Sequence, residues 1–286
     1  MAKCAVCFRH CEIAEGLAGF CGARGCREGR VVSLNYGCVT ALALDPIEKK
    51  PLMRFHPGSS ILSVGSWGCN LRCPFCQNHE ISWSPEALDL GEKARRVTPE
   101  ALAEAALQAA DRGSIGLAFT YNEPLIGWEF VRDTAKLTHK AGLKNVLVTN
   151  GTAELPVLEE LGPYIDAMNI DLKGFTEEYY RKVLGGSLTA VKTFIARAAQ
   201  LCHVELTTLI VPGENDSPEE MRALSAWVAA LRDSAGKPIG PDIPLHVSRF
   251  FPRFHMTDRG PTSVRTVYAL AEIARERLRF VYTGNC

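Results

Sequence analysis

The stretch Gly68-Cys69-Asn70-Leu71-Arg72-Cys73-Pro74-Phe75-Cys76-Gln77-Asn78 decides the reading of this chain. It holds three cysteines at C-x3-C-x2-C spacing and directly follows the apolar, β-rich run Ile61-Leu62-Ser63-Val64-Gly65. A loop this short can wrap three thiolates around one metal centre. Iron–sulfur clusters are usually held by four cysteine thiolates. Three thiolates on a four-iron cluster leave one iron open to a substrate or cofactor. The alternative is a zinc knuckle, in which His79, three residues past Cys76, completes a closed four-ligand site.

The rest of the chain narrows the choice. Its 286 residues suit one large α/β domain with a small appendage, and a hydrophobic fraction of 47% is enough for a large core. The formal net charge is zero, which argues against a broad basic face and hence against nucleic acid as a partner. No apolar run approaches the ~20 residues of a membrane span, and the N-terminus Met1-Ala2-Lys3-Cys4-Ala5-Val6-Cys7 has no apolar signal core. A cytoplasmic protein with no membrane partner is expected. In that compartment eleven cysteines read as metal ligands rather than as a disulfide framework.

Five of those cysteines fall in residues 1–30, as Cys4, Cys7, Cys11, Cys21 and Cys26, interleaved with Gly16, Gly19, Gly22, Gly25 and Gly29. A segment so rich in glycine and so poor in large apolar side chains has too little core to order itself, so a metal is the simplest brace. Cys4, Cys7, Cys11 and Cys21 form two close pairs and are the expected ligands. Cys26 is an alternative to Cys21, and His10 is a weaker substitute. Thiolates suit zinc and an iron–sulfur cluster equally; nothing else in the segment points to redox chemistry, which favours zinc. Residues 31–44 alternate and predict a short hairpin. Asp45-Pro46-Ile47-Glu48-Lys49-Lys50-Pro51-Leu52 predicts an ordered loop, its charges a solvated turn.

From Ile61 onward, strands and helices alternate. The β-rich runs are 61–65, 115–119, 145–149, 167–171, 203–211, 244–248 and 279–282. Between them Thr98-Pro99 reads as a helix start, and Ser217-Pro218-Glu219-Glu220 as a capping box. Serial βα units make a parallel sheet, and right-handed crossovers curl it. The expected fold is therefore α/β, a partial (β/α)6 TIM-like barrel over residues 45–286 behind a cysteine-rich module over residues 1–44.

In parallel α/β folds the site lies at the C-terminal ends of the strands. There the sequence delivers the cysteine loop, Thr120-Tyr121-Asn122-Glu123-Pro124, Thr149-Asn150-Gly151, Asp171-Leu172-Lys173, Val211-Pro212-Gly213, and a sixth strand with His246, Ser248 and Arg249. Many such residues are helix caps. Glu123 could serve as a cap too, or aim its carboxylate at a ligand's ammonium group.

These stretches resemble the radical S-adenosylmethionine superfamily. Its C-x3-C-x-aromatic-C signature matches Cys69, Cys73 and Cys76 with Phe75 as the aromatic. The likeness is to the activating-enzyme branch, and within it to AmmeMemoRadiSam-type enzymes, carried by the N-terminal cysteines, the 45–52 segment, Cys76-Gln77-Asn78, His246-Val247-Ser248-Arg249-Phe250 and Thr283-Gly284-Asn285. Where that branch has glycine-glycine-glutamate-proline, this chain has Tyr121-Asn122-Glu123-Pro124, so the Asn122 side chain can join the contact.

The resemblance implies a [4Fe-4S] cluster on the three cysteines, with S-adenosylmethionine chelated by the open iron. Phe75, Asn122, Glu123, Asn150 and Asp171 would bind the cofactor, and Lys49, His246 and Arg249 would face the substrate. It implies reductive cleavage to a 5′-deoxyadenosyl radical, electrons from a flavodoxin- or ferredoxin-like donor, and hydrogen abstraction from a partner protein. Radical chemistry on a small molecule or another macromolecule is the first alternative. A non-catalytic metal-binding interaction protein is the second.

Overall fold

The computed structural model describes residues 1–90 and 94–286. Eight strands form one sheet: β1 (Ala41–Pro46), β2 (Ser60–Gly65), β3 (Ser114–Phe119), β4 (Lys144–Thr149), β5 (Ala167–Asp171), β6 (His203–Ile210), β7 (Leu245–Arg249) and β8 (Val281–Gly284). They lie side by side in chain order. β1 pairs with β2 antiparallel, and every later neighbour pairs in parallel. Parallel neighbours need a crossover, and helices supply it: α1 (Pro99–Ala110), α2 (Trp128–Lys140), α3 (Leu155–Leu161), α4 (Leu188–Ala198), α5 (Pro218–Ala229) and α6 (Val264–Arg275).

Local chemistry sets these boundaries. Thr98 caps α1 by accepting from Ala101 N, with Pro99 at the first helical position. Ser217 caps α5 in the same way through Glu220 N. Only half of the expected capping box forms, because the Glu220 carboxylate accepts instead from Phe175 N at 2.5 Å and ties the loop after β5 to α5. One large core joins Leu117, Leu147, Met168, Leu206 and Val247 of the sheet to helical residues such as Phe194, Val228 and Leu270.

The N-terminal segment departs from the expected division. Arg24–Arg27 and Arg30–Ser33 make the hairpin, upstream of where it was expected. A boundary at residue 44 falls inside β1, which pairs with β2 along its length. Cys4, Val6 and Ile13 are buried in the same core as the barrel strands. Backbone pairing continues this contact: Cys7 bridges Ala153, Phe8 N donates to Thr152 O, and Glu154 N donates to Val6 O. The segment is thus docked on the loop that follows β4.

The 45–52 segment is the second departure. Lys50 is buried, not solvated: its Nζ donates to Asp45 Oδ2 at 2.8 Å, beneath the Tyr121 ring, whose hydroxyl donates to the same oxygen. The chain beyond it closes the lower barrel. Met53 N and Arg54 N donate to Glu205 at 3.0 and 2.7 Å, and His203 and His246 lie 3.0 and 2.7 Å from the same carboxylate. Burial pushes Glu205 up, but these four partners outweigh it and hold its pKa at about 2. Its stabilisation is complete above the ordinary carboxylate range and is lost as pH falls through that folded value. Glu205→Gln should therefore cost about 3 kcal/mol at pH 7, read by urea unfolding; a loss below about 1 kcal/mol, within the range of an ordinary surface change, would show the network to be dispensable.

Candidate active site at the strand ends

β2 delivers the cysteine loop. The turn into it depends on Gly68, whose φ is +95° and whose missing Cβ would sit 2.8 Å from Ala23 Cβ and 2.9 Å from Cys21 O. Any side chain there would be strained and would push the N-terminal segment away. The loop is held on its far side by Arg72 N, which donates to Leu184 O at 2.8 Å. Cys69, Cys73 and Cys76 then line one cavity of about 300 Å³ with Phe75, Asn122, Glu123, Asn150 and Asp171. Desolvation pushes all three thiols up, Cys73 to about 11. His79 is not with them; its ring stacks on Phe254 at 4.0 Å. The zinc-knuckle alternative therefore lacks its fourth ligand. Among the described residues, no three metal-ligating side chains converge on a single ion. Three thiols lining one roomy cavity are a donor set that suits an iron–sulfur cluster.

The end of β3 holds the neighbouring strand ends in place. Asn122 Oδ1 accepts from Ser66 N at 3.0 Å, and its Nδ2 donates to Gly68 O at 3.1 Å. Asn122 lines the cavity, but its amide is spent on the turn before Cys69. Asn122 thus braces the loop while bordering the cavity expected to hold the cofactor. Glu123 is 3% exposed. Its Oε1 accepts from Leu125 N at 3.0 Å and Thr149 Oγ1 at 2.7 Å, and its Oε2 accepts from Asn150 N at 2.7 Å. Both readings of Glu123 meet here: it caps the short helical turn Pro124–Gly127, and it faces the cavity. Among the described residues no cation pairs with it. Burial pushes its pKa up to about 7, against the lowering effect of Asn150 N, Thr149 and Leu125 N. A buried carboxylate without a protein cation suits a cationic ligand.

Asn150 connects this carboxylate to the thiols. Its Nδ2 lies 2.8 Å from Asn70 Oδ1 and 3.8 Å from Cys69 Sγ. Asp171 pairs with Lys173 at 2.6 Å. Burial pulls the Lys173 pKa down, but Asp171 and Cys73 more than offset it and keep the ammonium charged beside the cysteines. Only Asp171 was singled out from the Asp171-Leu172-Lys173 strand end; Lys173 belongs to the cavity as well. So do Ser248, Thr207 and Asn285.

The three expected substrate-side residues lie elsewhere. His246 points into the barrel one layer too low, at Glu205, and Ser248, two residues on along the same face, lines the cavity instead. Arg249 alternates to the other face, where its Nε donates to Thr262 O at 2.7 Å. Lys49 sits beside the start of β2, 67% exposed, and pairs with Asp45.

The raised pKa of Glu123 has a measurable sign. Its folded value lies above the ordinary one, so its contribution to stability is best below about pH 4.5 and declines as pH rises toward 7. In metal-free protein, the difference in unfolding free energy between Glu123→Gln and wild type should grow by up to about 3 kcal/mol in favour of the variant from pH 5 to pH 8. A pH-independent difference would mean that Glu123 ionises normally.

Comparison with known proteins agrees with this geometry. Residues 65–224, more than half of the chain, match the model of the radical SAM superfamily. The uncharacterized protein MJ0808 of Methanocaldococcus jannaschii is 39% identical over 286 residues, covering 99% of this chain and 81% of the relative. The pyruvate formate-lyase-activating enzyme of Clostridium pasteurianum is 26% identical over 170 residues, 58% of this chain and 68% of that enzyme. Among solved structures, Streptococcus suis SuiB bound to S-adenosylmethionine superposes with a TM-score of 0.57 over 76% of this chain and 48% of SuiB, at 14% identity, which is a likeness of fold. Proteins of this family are enzymes that use a [4Fe-4S] cluster and S-adenosylmethionine. With the thiol triplet, the strand-end cavity and the matched core in agreement, the chain belongs to the radical SAM superfamily.

Proposed function

We propose that the protein cleaves S-adenosylmethionine reductively and uses the resulting 5′-deoxyadenosyl radical to take a hydrogen atom from a partner protein, in the manner of glycyl-radical activating enzymes. The observation that carries this reading is the shared cavity of Cys69, Cys73, Cys76 and the uncompensated carboxylate of Glu123. When bound, a [4Fe-4S] cluster supplies one electron and an open iron for the amino and carboxylate groups of the cofactor. Cys69, Cys73 and Cys76 would hold that cluster. Asn150 orients Cys69 and, through its backbone N–H, Glu123. Glu123 would accept a hydrogen bond from the amino group of the cofactor, and Phe75 would pack beside it. Lys173 balances the thiolates and keeps Asp171 in place.

A protein substrate is favoured over an enclosed small molecule by size. A cavity of about 300 Å³ is at the lower end for a single drug-sized ligand, so the cofactor fills it. A substrate must then reach the radical from the rim, where Gln77, Asn78 and Asn285 are exposed. An extended chain segment can do so. Similarity to pyruvate formate-lyase-activating enzymes supports the same choice. Placement among the AmmeMemoRadiSam-type enzymes rests on the sequence motifs. A flavodoxin- or ferredoxin-like donor is the expected electron source. A reducing cytoplasm suits eleven free thiols; among the described residues no helix is long and apolar enough to cross a membrane.

The test is anaerobic reconstitution with iron and sulfide, then reduction in the presence of S-adenosylmethionine and assay of 5′-deoxyadenosine. Wild type should form it and Cys73→Ala should not; a variant with wild-type turnover would remove the triplet from the chemistry. Calorimetry on Glu123→Ala should show cofactor binding weaker by roughly 1.5–3 kcal/mol, the worth of a charge-assisted contact. Unchanged affinity would remove Glu123 from the cofactor's amino group.

A further inference from the structure

The side-chain amide of Asn150 faces Cys69 because two neighbours hold it there. β4 runs into the turn Asn150-Gly151-Thr152. Gly151 has φ at +65°, and a Cβ on it would lie 2.7 Å from Ile170 Cγ2, so only glycine fits. The turn brings Thr152 back onto Asn150. Asn150 Oδ1 accepts from Thr152 N at 3.1 Å and from Thr152 Oγ1 at 2.6 Å. Asn150 Nδ2 donates to Asn70 Oδ1, and Asn70 Nδ2 donates to Thr152 Oγ1, both at 2.8 Å. Three buried side chains, two from the turn and one from the cysteine loop, thus close a ring.

The ring decides which way the amide points. An oxygen that accepts from two donors cannot change places with the NH2 group, so the nitrogen must lie on the opposite side. One of its protons goes to Asn70. Among the described residues the other meets only Cys69 Sγ, 3.8 Å away. The bond from Thr152 N alone would be an ordinary turn of the kind asparagine makes in many loops. That turn requires neither the Thr152 hydroxyl nor Asn70. Thr152 is 1% exposed, and a buried hydroxyl is a cost unless it holds something. Asn70 is itself braced: Arg9 Nε donates to its carbonyl, and its side chain touches the Cys7 thiol. It borders the small space shared by Cys4, Cys7, Cys11 and Cys21, whereas Cys26 and His10 face Glu15 and Glu154.

We propose that Thr152 is a positioning residue for the site: with Asn70 it locks the Asn150 amide so that its remaining N–H donates to the Cys69 sulfur and raises the reduction potential of a cluster bound there. Loading removes the Cys69 proton, and reduction adds one electron from a low-potential donor protein. No bond in Asn150 or Thr152 changes. Both events make the sulfur more negative, and a fixed donor stabilises the more negative state more. Glu123 is the charged group that most opposes a thiolate at Cys69. Asn150 stands between the two, with its backbone N–H on the carboxylate at 2.7 Å and its side-chain N–H on the sulfur.

This role rests on the proposal that Cys69, Cys73 and Cys76 hold a [4Fe-4S] cluster, and the experiment keeps the two apart. Wild type, Asn150→Ala, Thr152→Val, Thr152→Ser and the double variant Asn150→Ala/Thr152→Val are reconstituted anaerobically and titrated with reductant. Electron paramagnetic resonance reads the reduced cluster. At the wild-type midpoint, Asn150→Ala should lower the ratio of reduced to oxidised cluster about tenfold, a shift of about 59 mV for one electron. Thr152→Val keeps nearly the same volume without the hydroxyl, and should lower that ratio about threefold. Thr152→Ser, which keeps the hydroxyl, should retain the wild-type midpoint. The double variant should shift no further than Asn150→Ala, because the hydroxyl acts through that amide. An unshifted midpoint in Thr152→Val, or shifts that add in the double variant, would overturn the role of Thr152 while leaving the cluster in place. Wild type that takes up no iron would overturn the cluster itself, and this role with it.

Discussion

Two adjacent side chains at the end of β3 fix the site. Asn122 holds the turn after β2 through Ser66 N and Gly68 O, and Glu123 holds the end of β4 through Thr149 and Asn150 N. Three consecutive strand ends are thereby joined through buried polar contacts, each stronger for being shielded from water. The backbone at Tyr121 bears the strain of this arrangement, with φ at +72° for a bulky residue. Asp45 offsets it by anchoring the Tyr121 hydroxyl, and Lys50 anchors Asp45. The segment that plugs the lower barrel thus reaches the site through one aromatic ring.

The same clamp sets the electrostatics. Glu123 takes three hydrogen bonds, yet burial still carries its pKa to about 7. Three donors do not replace a counter-charge in a water-poor cavity. Lys173 would be the natural partner, but Asp171 holds it at 2.6 Å and directs it toward Cys73. The two nearby ion-capable groups are therefore kept apart. The cation serves the thiols, and the carboxylate stays available for a cation that is not part of the chain.

Much of this was legible in the sequence because parallel βα units leave a strong signal. All seven β-rich runs became strands with ends shifted by no more than two residues, and the polar groups after β2 to β5 do meet in one cavity. What was not legible was depth and face. His246 and Ser248 share a face, but only the one nearer the strand end reaches the cavity; Arg249 is adjacent in sequence and on the opposite side. Lys49 and Lys50 are consecutive lysines in a loop that both pair with Asp45, and their fates diverge because only Lys50 does so buried against the Tyr121 ring. No local pattern encodes that difference, since it depends on a tyrosine 71 positions further along the chain. The bracing role of Asn122 left no sequence signal, because its partners are backbone groups that composition does not mark.

The N-terminal segment completes the argument, since the cysteine loop has little of its own to hold it. Eleven residues with one proline and no regular secondary structure before His79 would sample many conformations. On one side Arg9 Nε donates to Asn70 O at 2.8 Å, and the guanidinium groups of Arg9 and Arg72 both lie over the Phe20 ring, at 3.4 and 3.9 Å. On the other side Arg72 N is bound to Leu184 O, in the connection between β5 and α4. Gly68 lets the N-terminal backbone come against the start of the loop. Contacts within the chain therefore hold the loop, which lowers the ordering entropy left for ligand binding to offset. This places the first thirty residues within the working site even though the barrel alone carries the fold, and it explains why the chain keeps a glycine-rich segment that could not order itself in isolation.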